Sequence, residues 1–316
     1  MNPNNPLSIS ASCNLEFPTV LLVGNGINRA YSSDSWDNVI SRLWSKEAPI
    51  SAEDAKNADI PFPLKIILGT NDNVDVAIKT NQRQLCGGLK HKEVCTVLEK
   101  LLRIPFDYIL TTNYSYEIES VANNEKCVNC KNCSIKKLSN HTDAVDRVEN
   151  KYLLHSYNQI HFQDNFYNIW HIHGEIRKPD SVILGQYYYS FLLRRIQEEI
   201  DKRRNVQEER QINGKTPKLD SWVDAFIMGN VYILGSGFDL SEIDLWWLLN
   251  RKKREKAMHG RVIFYEHSEN KNRIKHSLLK TMNVEVRDMG YKEKPTEFRK
   301  FYDEAIDDIM RENELF

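Results

Sequence analysis

The chain has 316 residues, of which 41% are hydrophobic and 28% charged, and its formal net charge is -1 at pH 7. This balance is typical of a globular protein and argues against general attraction to nucleic acid or to an anionic membrane. The sequence contains neither an apolar run of about 18 residues nor a charged-then-apolar leader, and residues 1–16 are polar, so we expect a flexible N-terminal segment and a cytoplasmic location.

The first predicted strand lies in FPTVLLVGNGIN and ends in a turn at Gly24 and Gly26. Such a turn can bring backbone N–H groups close to a pyrophosphate. In the dinucleotide fingerprint a third glycine would stand at position 29, where this chain has Arg29. Taken alone, the turn is equally well explained as a tight connection between a strand and the helix predicted over SSDSWDNVISRLW.

Two polar motifs follow later strands. FDYILTTNY predicts a strand that ends at Thr112 and Asn113, and YNIWHIHG predicts one that ends near His171, His173 and Gly174. A strand-end Asn could hold a ribose or only stabilise its turn, and a His could accept a proton or only donate to a carbonyl. Side chains two residues apart on a regular strand share a face, so the sequence does not distinguish the two histidines.

Residues 122–168 have little periodicity and are interpreted as an irregular inserted module. The module contains Cys127, Cys130 and Cys133, with His141 eight positions later. Thiolates at this spacing could share a zinc ion. Because the spacing is not that of a standard zinc ribbon, reduced loop thiols are the favoured interpretation.

The C-terminal half repeats the opening pattern. NVYILGSGFDLSEIDLWWLLN predicts a buried strand, a turn at Gly235-Ser236-Gly237 and a helix, and RVIFYE and VEVRDM add two strands. Strands alternating with helices predict an α/β fold with a Rossmann-like, doubly wound parallel sheet. Ligands bind beyond the carboxyl ends of such strands, so both glycine turns and both polar motifs are expected to meet there.

The order GNGIN, TTNY, IHG and GSGFD, with Trp36 after the first motif, resembles the SIR2-like, sirtuin-fold family over roughly residues 17–290. The resemblance implies a single NAD-binding catalytic domain over residues 17–316, with Asn113 and His173 as catalytic residues. It also implies NAD contacts from Gly24, Asn25, Gly26, Ile27, Asn28, Trp36, Thr112, Gly235, Ser236, Gly237 and Asp239.

Within that family the chain is similar to bacterial NAD hydrolases of antiphage defence rather than to the deacylases. Deacylases have Pro-Asp-Phe-Arg where this chain has Ser35-Trp36-Asp37-Asn38, and they carry two Cys-x-x-Cys pairs after the HG motif, whereas no cysteine follows Gly174. The resemblance thus implies cleavage of NAD, the substrate, to nicotinamide and ADP-ribose, without a metal. An NAD-dependent deacylase and a catalytically silent NAD or ADP-ribose sensor are the alternatives.

A toxic NAD hydrolase must be restrained in the cell. The resemblance therefore implies a homo-oligomer or a complex with a defence partner of the ATPase or Argonaute type.

Overall fold

The computed structural model describes residues 17–29, 36–81, 91–122, 136–139, 151–213, 219–255, 259–267, 273–291 and 295–314. The predicted flexible segment 1–16 and the cluster of Cys127, Cys130, Cys133 and His141 lie outside these ranges.

An eight-stranded sheet forms the centre of the protein, with the order β3-β4-β5-β2-β1-β6-β7-β8. The strands are β1 (Thr19–Val23), β2 (Tyr108–Thr111), β3 (Lys136–Ser139), β4 (Ser156–Phe162), β5 (Asn165–His171), β6 (Asn230–Leu234), β7 (Val262–Glu266) and β8 (Val284–Asp288). The strands from β5 to β8 in this order are parallel, and β3 and β4 add an antiparallel edge. The predicted Rossmann-like, doubly wound parallel sheet is confirmed, and the antiparallel edge is an addition to it.

Helices connect the strands and cover both faces of the sheet. They are α1 (Gly26–Arg29), α2 (Trp36–Arg42), α3 (Ala52–Asn57), α4 (Phe62–Thr70), α5 (Val74–Thr80), α6 (His91–Leu101), α7 (Glu117–Ala122), α8 (Gln186–Asn213), α9 (Trp222–Met228), α10 (Ile243–Arg254), α11 (Arg273–Thr281) and α12 (Pro295–Glu312). No helix in the described ranges is both long and apolar enough to cross a membrane.

The end of the predicted inserted module is more regular than its sequence indicates. Strand β4 pairs with β5 in an antiparallel hairpin that continues the main sheet. Its inward positions include Ser156 and Asn158, both buried, beside Ile160. Since polar residues occupy part of the buried face, the apolar alternation that reveals a strand is missing from the sequence.

Alternate residues of the central strands enter two separate cores. On β1, Leu22 packs with Trp170 and Phe226 on one face, whereas Leu21 packs with Ile109 and residues of α12 on the other. A third, smaller core lies among helices α2, α4 and α5, which we call the cap. The cap helices reach the carboxyl ends of the strands and form one wall of the site described below.

A buried lysine holds α10 against the end of α9. Lys252 is 3% exposed, and its Nζ donates to the carbonyl oxygens of Phe226 at 3.0 Å, Ile227 at 3.0 Å and Gly229 at 2.5 Å. The ammonium thus satisfies backbone acceptors that the C-terminus of a helix leaves open, where a positive charge is also favoured.

We expect Lys252→Met to lower the free energy of unfolding by about 2–4 kcal/mol, because several buried carbonyls lose their donor. The matched control is Lys253→Met, since exposed Lys253 donates, among the described residues, to the Thr281 carbonyl alone, at 2.7 Å. Its effect should stay within about 0.5 kcal/mol. Chemical denaturation measures both variants, and equal losses would contradict the role assigned to Lys252.

Candidate functional site

The turns after β1 and β6 line one pocket, which we call the glycine pocket. It has a volume of about 770 Å³, including the part open to solvent. The end of β7, the residue after it and α12 also line this pocket. These elements contribute Tyr265, Glu266, His267, Phe298, Phe301 and Tyr302.

A second pocket, the histidine pocket, adjoins the first and has a volume of about 620 Å³, again including the part open to solvent. It is lined by His173 from the segment after β5, by Tyr189 from α8 and by apolar residues of the cap. The cap contributes Ile40, Phe62, Pro63 and Ile66. Thr112, Gly237 and Glu242 line both pockets, so these residues mark the junction between them.

The two glycine turns pack tightly against each other. A Cβ atom at Gly24 would lie 2.6 Å from the Gly235 carbonyl oxygen, and one at Gly26 would lie 2.5 Å from the same atom. Gly235 itself has a φ of +69°, which favours glycine. Glycine at these positions is therefore required by the contact between the turns.

The predicted role of the first turn in phosphate binding stays a prediction, but two of its backbone donors have partners within the protein. The Gly24 N–H donates to the Leu234 carbonyl at 3.0 Å, and the Gly26 N–H donates to the Gly235 carbonyl at 2.6 Å. These two donors are already used to hold the turns together. By contrast, the backbone N–H groups of Ser236 and Gly237 have no partner within the described ranges.

Gly237 differs from the other glycines of the site. A Cβ atom built on it meets no heavy atom within 4 Å, and its φ lies outside the left-handed region. The residue faces open space at the junction of the pockets. Ser236 beside it accepts the Phe238 N–H on its hydroxyl at 3.1 Å, which stabilises the turn.

The other residues with predicted NAD contacts occupy varied surroundings. Asn25 lines the glycine pocket, whereas the side chain of Ile27 is buried in the core. Asn28 is buried and donates to Asn25 Oδ1 at 2.8 Å and to Glu117 Oε1 at 3.2 Å. Trp36 begins α2, but its side chain lies outside the described part of the chain.

Asp239 lines the histidine pocket from the exposed loop before α10. Its Oδ1 accepts the backbone N–H of Ser241 at 2.8 Å and the Ser241 hydroxyl at 2.6 Å. One carboxylate oxygen is thus committed to the loop itself, which fixes the position of the residues that follow.

The two histidines have different surroundings, contrary to the expectation that they share a face. β5 ends at His171, and the Gly174 N–H donates to the His171 carbonyl at 2.9 Å, so the chain turns before His173. His173 lines the histidine pocket. The regular strand on which the expectation rested ends two residues too early.

His171 belongs to a buried polar network. Its Nδ1 lies 2.7 Å from the Asn113 carbonyl oxygen and its Nε2 lies 2.9 Å from Glu119 Oε1, which also accepts from Asn158 at 2.9 Å. Burial alone would lower the pKa of His171, but the charge and hydrogen bond of Glu119 outweigh it and raise the pKa above its usual value. Both ring nitrogens are therefore occupied by protein atoms.

His173 forms a pair with Asp244 in the first turn of α10. Its Nε2 lies 2.8 Å from Asp244 Oδ2, and Asp244 is fully buried. Burial acts to lower the pKa of His173, but the charge and hydrogen bond of Asp244 prevail, and the pKa is raised.

The pair also fixes the tautomer of the neutral ring. A carboxylate accepts, so Asp244 keeps the proton of neutral His173 on Nε2 and leaves Nδ1 as an acceptor. Nδ1 has no hydrogen-bond partner among the described residues.

The backbone of Asn113 is held by hydrogen bonds, whereas its side-chain oxygen lacks a hydrogen-bond donor in the described ranges. Its N–H donates to Thr111 Oγ1 at 3.1 Å, and its carbonyl is held by His171. The side-chain oxygen Oδ1 is buried and has no hydrogen-bond partner in the described ranges. Asn113 does not line either pocket, although its neighbour Thr112 lines both. A buried amide oxygen without a donor is costly unless a ligand or water satisfies it.

Glu242 and Asp244 lie beside His173, and no motif in the sequence pointed to either residue. Acidic residues at the start of a predicted helix are readily explained as caps, so nothing in the sequence separates these two from ordinary capping residues. Burial is the missing signal, because a fully buried carboxylate such as Asp244 is rare unless it is paired. Within the described ranges, no group of His, Cys, Asp and Glu residues is arranged to hold a metal ion.

A comparison with protein families matches residues 107–287, more than half of the chain, to the family described as SIR2-like domain. The match includes Asn113, His173 and the turn at Gly235, while the first glycine turn precedes it. No curated protein matches the chain significantly. Taken with the mostly parallel sheet and the pockets at its strand ends, the match shows that the chain belongs to the SIR2-like domain family.

Proposed function

We propose that this protein hydrolyses the bond between nicotinamide and ribose in NAD, giving nicotinamide and ADP-ribose. One observation carries the proposal: His173, held by Asp244, opens onto an apolar pocket that joins the glycine pocket at Gly237. A dinucleotide would place its pyrophosphate and adenosine in the glycine pocket and its nicotinamide riboside in the histidine pocket.

The surroundings of each pocket support this placement. The N–H groups of Ser236 and Gly237, which have no partner in the part of the chain that the structure describes, are suitable donors to a pyrophosphate. The aromatic wall formed by Phe298, Phe301 and Tyr302 suits an adenine base. The apolar cap wall suits nicotinamide as it leaves, because the cationic ring becomes neutral when the bond breaks.

The chemistry requires stabilisation of positive charge at the ribose. As the bond to nicotinamide breaks, its electron pair moves to the ring nitrogen and the ribose carbon becomes oxocarbenium-like, as in glycoside cleavage. The carboxyl group of Glu242 lines the junction and can stabilise this charge, and Asp244, buried behind His173, adds a negative charge at a longer distance. In our scheme His173 accepts a proton from a ribose hydroxyl or from water, and Asn113 orients the ribose or the water.

The direct test is to incubate the purified protein with NAD and to measure nicotinamide and ADP-ribose. Release of nicotinamide without any acyl peptide supports hydrolysis. Release that depends on an acyl peptide would instead indicate a deacylase, and binding without turnover would indicate a sensor.

Gly237 offers a test of the nucleotide path. We expect Gly237→Leu to weaken ADP-ribose binding about 10-fold or more, because the new side chain enters the junction of the pockets and costs an estimated 1.4 kcal/mol or more of binding energy. Gly237→Ala should have a smaller effect, and both variants should melt close to wild type because a Cβ atom at this position meets no heavy atom within 4 Å and faces open space. Titration calorimetry measures the affinity, and unchanged binding by Gly237→Leu would refute the proposed path.

We also propose that the protein is an NAD-depleting effector of antiphage defence whose activity is controlled by assembly or by a partner. A site built from several loops is sensitive to displacement, since about 1 Å of misplacement can cost roughly 100-fold in rate. The isolated chain should therefore be a weak NAD hydrolase, and a higher-order assembly or a bound ATPase or Argonaute partner should raise its rate. NAD loss measured against protein concentration, together with mass by light scattering, checks this. Full activity in a monomer at every concentration would exclude assembly control.

A further inference from the structure

Glu242 stands at the junction of the glycine and histidine pockets and lines both. It precedes α10, two residues before the Asp244 carboxylate that holds His173. No other carboxylate among the described residues lines both of these pockets. A reacting ribose placed between pyrophosphate and nicotinamide would lie at this junction.

The carboxylate of Glu242 is oriented on one side and open on the other. Its Oε2 accepts the Asp239 backbone N–H at 3.0 Å. Within the described ranges, Oε1 has no hydrogen-bond partner, and the residue is only half-buried. Glu242 therefore has one fixed oxygen and one oxygen that can receive a proton from the pocket.

We propose that Glu242 accepts the proton of the attacking water during NAD hydrolysis, an inference that rests on the proposed function. The bond between the ribose carbon and the nicotinamide nitrogen breaks, and its electron pair neutralises the pyridinium. The water oxygen forms the new bond to that carbon and gives one proton to the Glu242 carboxylate. ADP-ribose and neutral nicotinamide result, and the proton later passes from Glu242 to solvent.

Without Glu242, His173 would have to interact with a ribose hydroxyl and also accept the proton of the attacking water. With its Nε2 held by Asp244, His173 presents a single nitrogen, Nδ1, for interaction with a ribose hydroxyl. The water proton then needs a second acceptor. Glu242 is the acidic residue positioned at the junction to supply it.

The electrostatic surroundings of Glu242 suit a group that exchanges protons near neutral pH. One edge of the side chain faces the pockets, but the protein packed around the carboxyl group removes most of its hydration. This burial and the charges of Asp244 and Asp239, opposed by His173 and the Asp239 N–H, together raise the pKa of Glu242 to about 7. The other titratable groups around it are Tyr114, Tyr189, Tyr265, Glu266, His267 and Tyr302. Below about pH 7 the carboxyl is protonated and cannot accept, so its contribution to the rate should disappear as the pH falls through that value.

The test compares Glu242→Gln and Glu242→Ala with wild type in whichever assembly state wild type is active. At pH values above the pKa of Glu242 we expect kcat to fall about 100-fold or more in both variants with a small change in KM, and the acid limb due to Glu242 to disappear. Glu198→Gln is the matched control and should behave as wild type, because this half-buried carboxylate of α8 pairs with Arg194 and Arg195 and lines neither pocket.

Azide distinguishes a lost proton acceptor from a structural defect. Azide ion attacks carbon without losing a proton, so it should restore nicotinamide release by Glu242→Ala and give ADP-ribosyl azide. His173→Gln should not be rescued. If wild type releases nicotinamide while Glu242→Gln keeps the wild-type rate and pH profile, or azide fails to rescue Glu242→Ala, the inference is wrong. If wild type releases none in any state, the proposed function fails and the inference with it.

Discussion

Replacing His173 by Gln should lower the rate of nicotinamide release about 100-fold or more while the protein remains folded. The Gln amide can still donate to Asp244, so the buried carboxylate keeps a partner. The variant lacks the Nδ1 acceptor of the imidazole, and the rate should fall for that reason.

Gln is a better replacement for His173 than Ala because it keeps a hydrogen-bond donor for Asp244. Asp244 is fully buried and lies 2.8 Å from His173 Nε2. Removing one partner of a buried charged pair typically costs about 3–5 kcal/mol, because the other charge is left uncompensated. With His173→Ala, a loss of activity could therefore reflect unfolding.

His171→Gln is the matched control. Both ring nitrogens of His171 are engaged by Glu119 and the Asn113 carbonyl, so this change should lower the melting temperature. Nicotinamide release per folded molecule should fall far less than in His173→Gln. Melting curves and a discontinuous nicotinamide assay on the two variants decide the matter. If His173→Gln releases nicotinamide faster per folded molecule than His171→Gln does, the catalytic residue is His171 and not His173.

The fold was predictable from the sequence because its central strands are continuous apolar runs that end in glycine or polar residues. Strands β1, β2 and β6 were found in this way, and their parallel arrangement follows from the helices between them. Strand β4 was missed because Ser156 and Asn158 occupy part of its buried face. Polar burial of this kind depends on partners distant in sequence, such as Glu119 for Asn158.

The sequence predicted which motifs form the candidate site, but it did not predict the contacts between them. The glycine turns, Thr112 and His173 do meet beyond the strand ends. The sequence could not reveal that Gly24 and Gly26 use their N–H groups to bind the neighbouring turn, or that Asp244 pairs with His173. These contacts join segments far apart in the chain, and short motifs contain no information about them.

Asn113→Ala should reduce NAD cleavage about 100-fold or more without lowering the thermal stability. The side-chain oxygen of Asn113 is buried without a donor in the described ranges, so its removal eliminates an unfavourable group from the unliganded protein. The melting temperature should stay the same or rise slightly. The catalytic loss follows because the amide that positions the ribose or the water is gone.

Asn158→Ala is the matched control, since the same change is made at an asparagine that is satisfied. Asn158 donates to Glu119 Oε1 at 2.9 Å, and its loss should cost about 1–3 kcal/mol of stability. Differential scanning calorimetry and nicotinamide release per folded molecule should then give opposite patterns: Asn113→Ala stable and inactive, Asn158→Ala less stable and active. If Asn113→Ala instead keeps its turnover, the buried oxygen serves the turn and not the ligand. In a preorganised site, a polar group can lack a partner in the unliganded protein because it forms its hydrogen bond in the reacting complex. The expected behaviour of Asn113, unsatisfied without ligand and required for turnover, agrees with such a site.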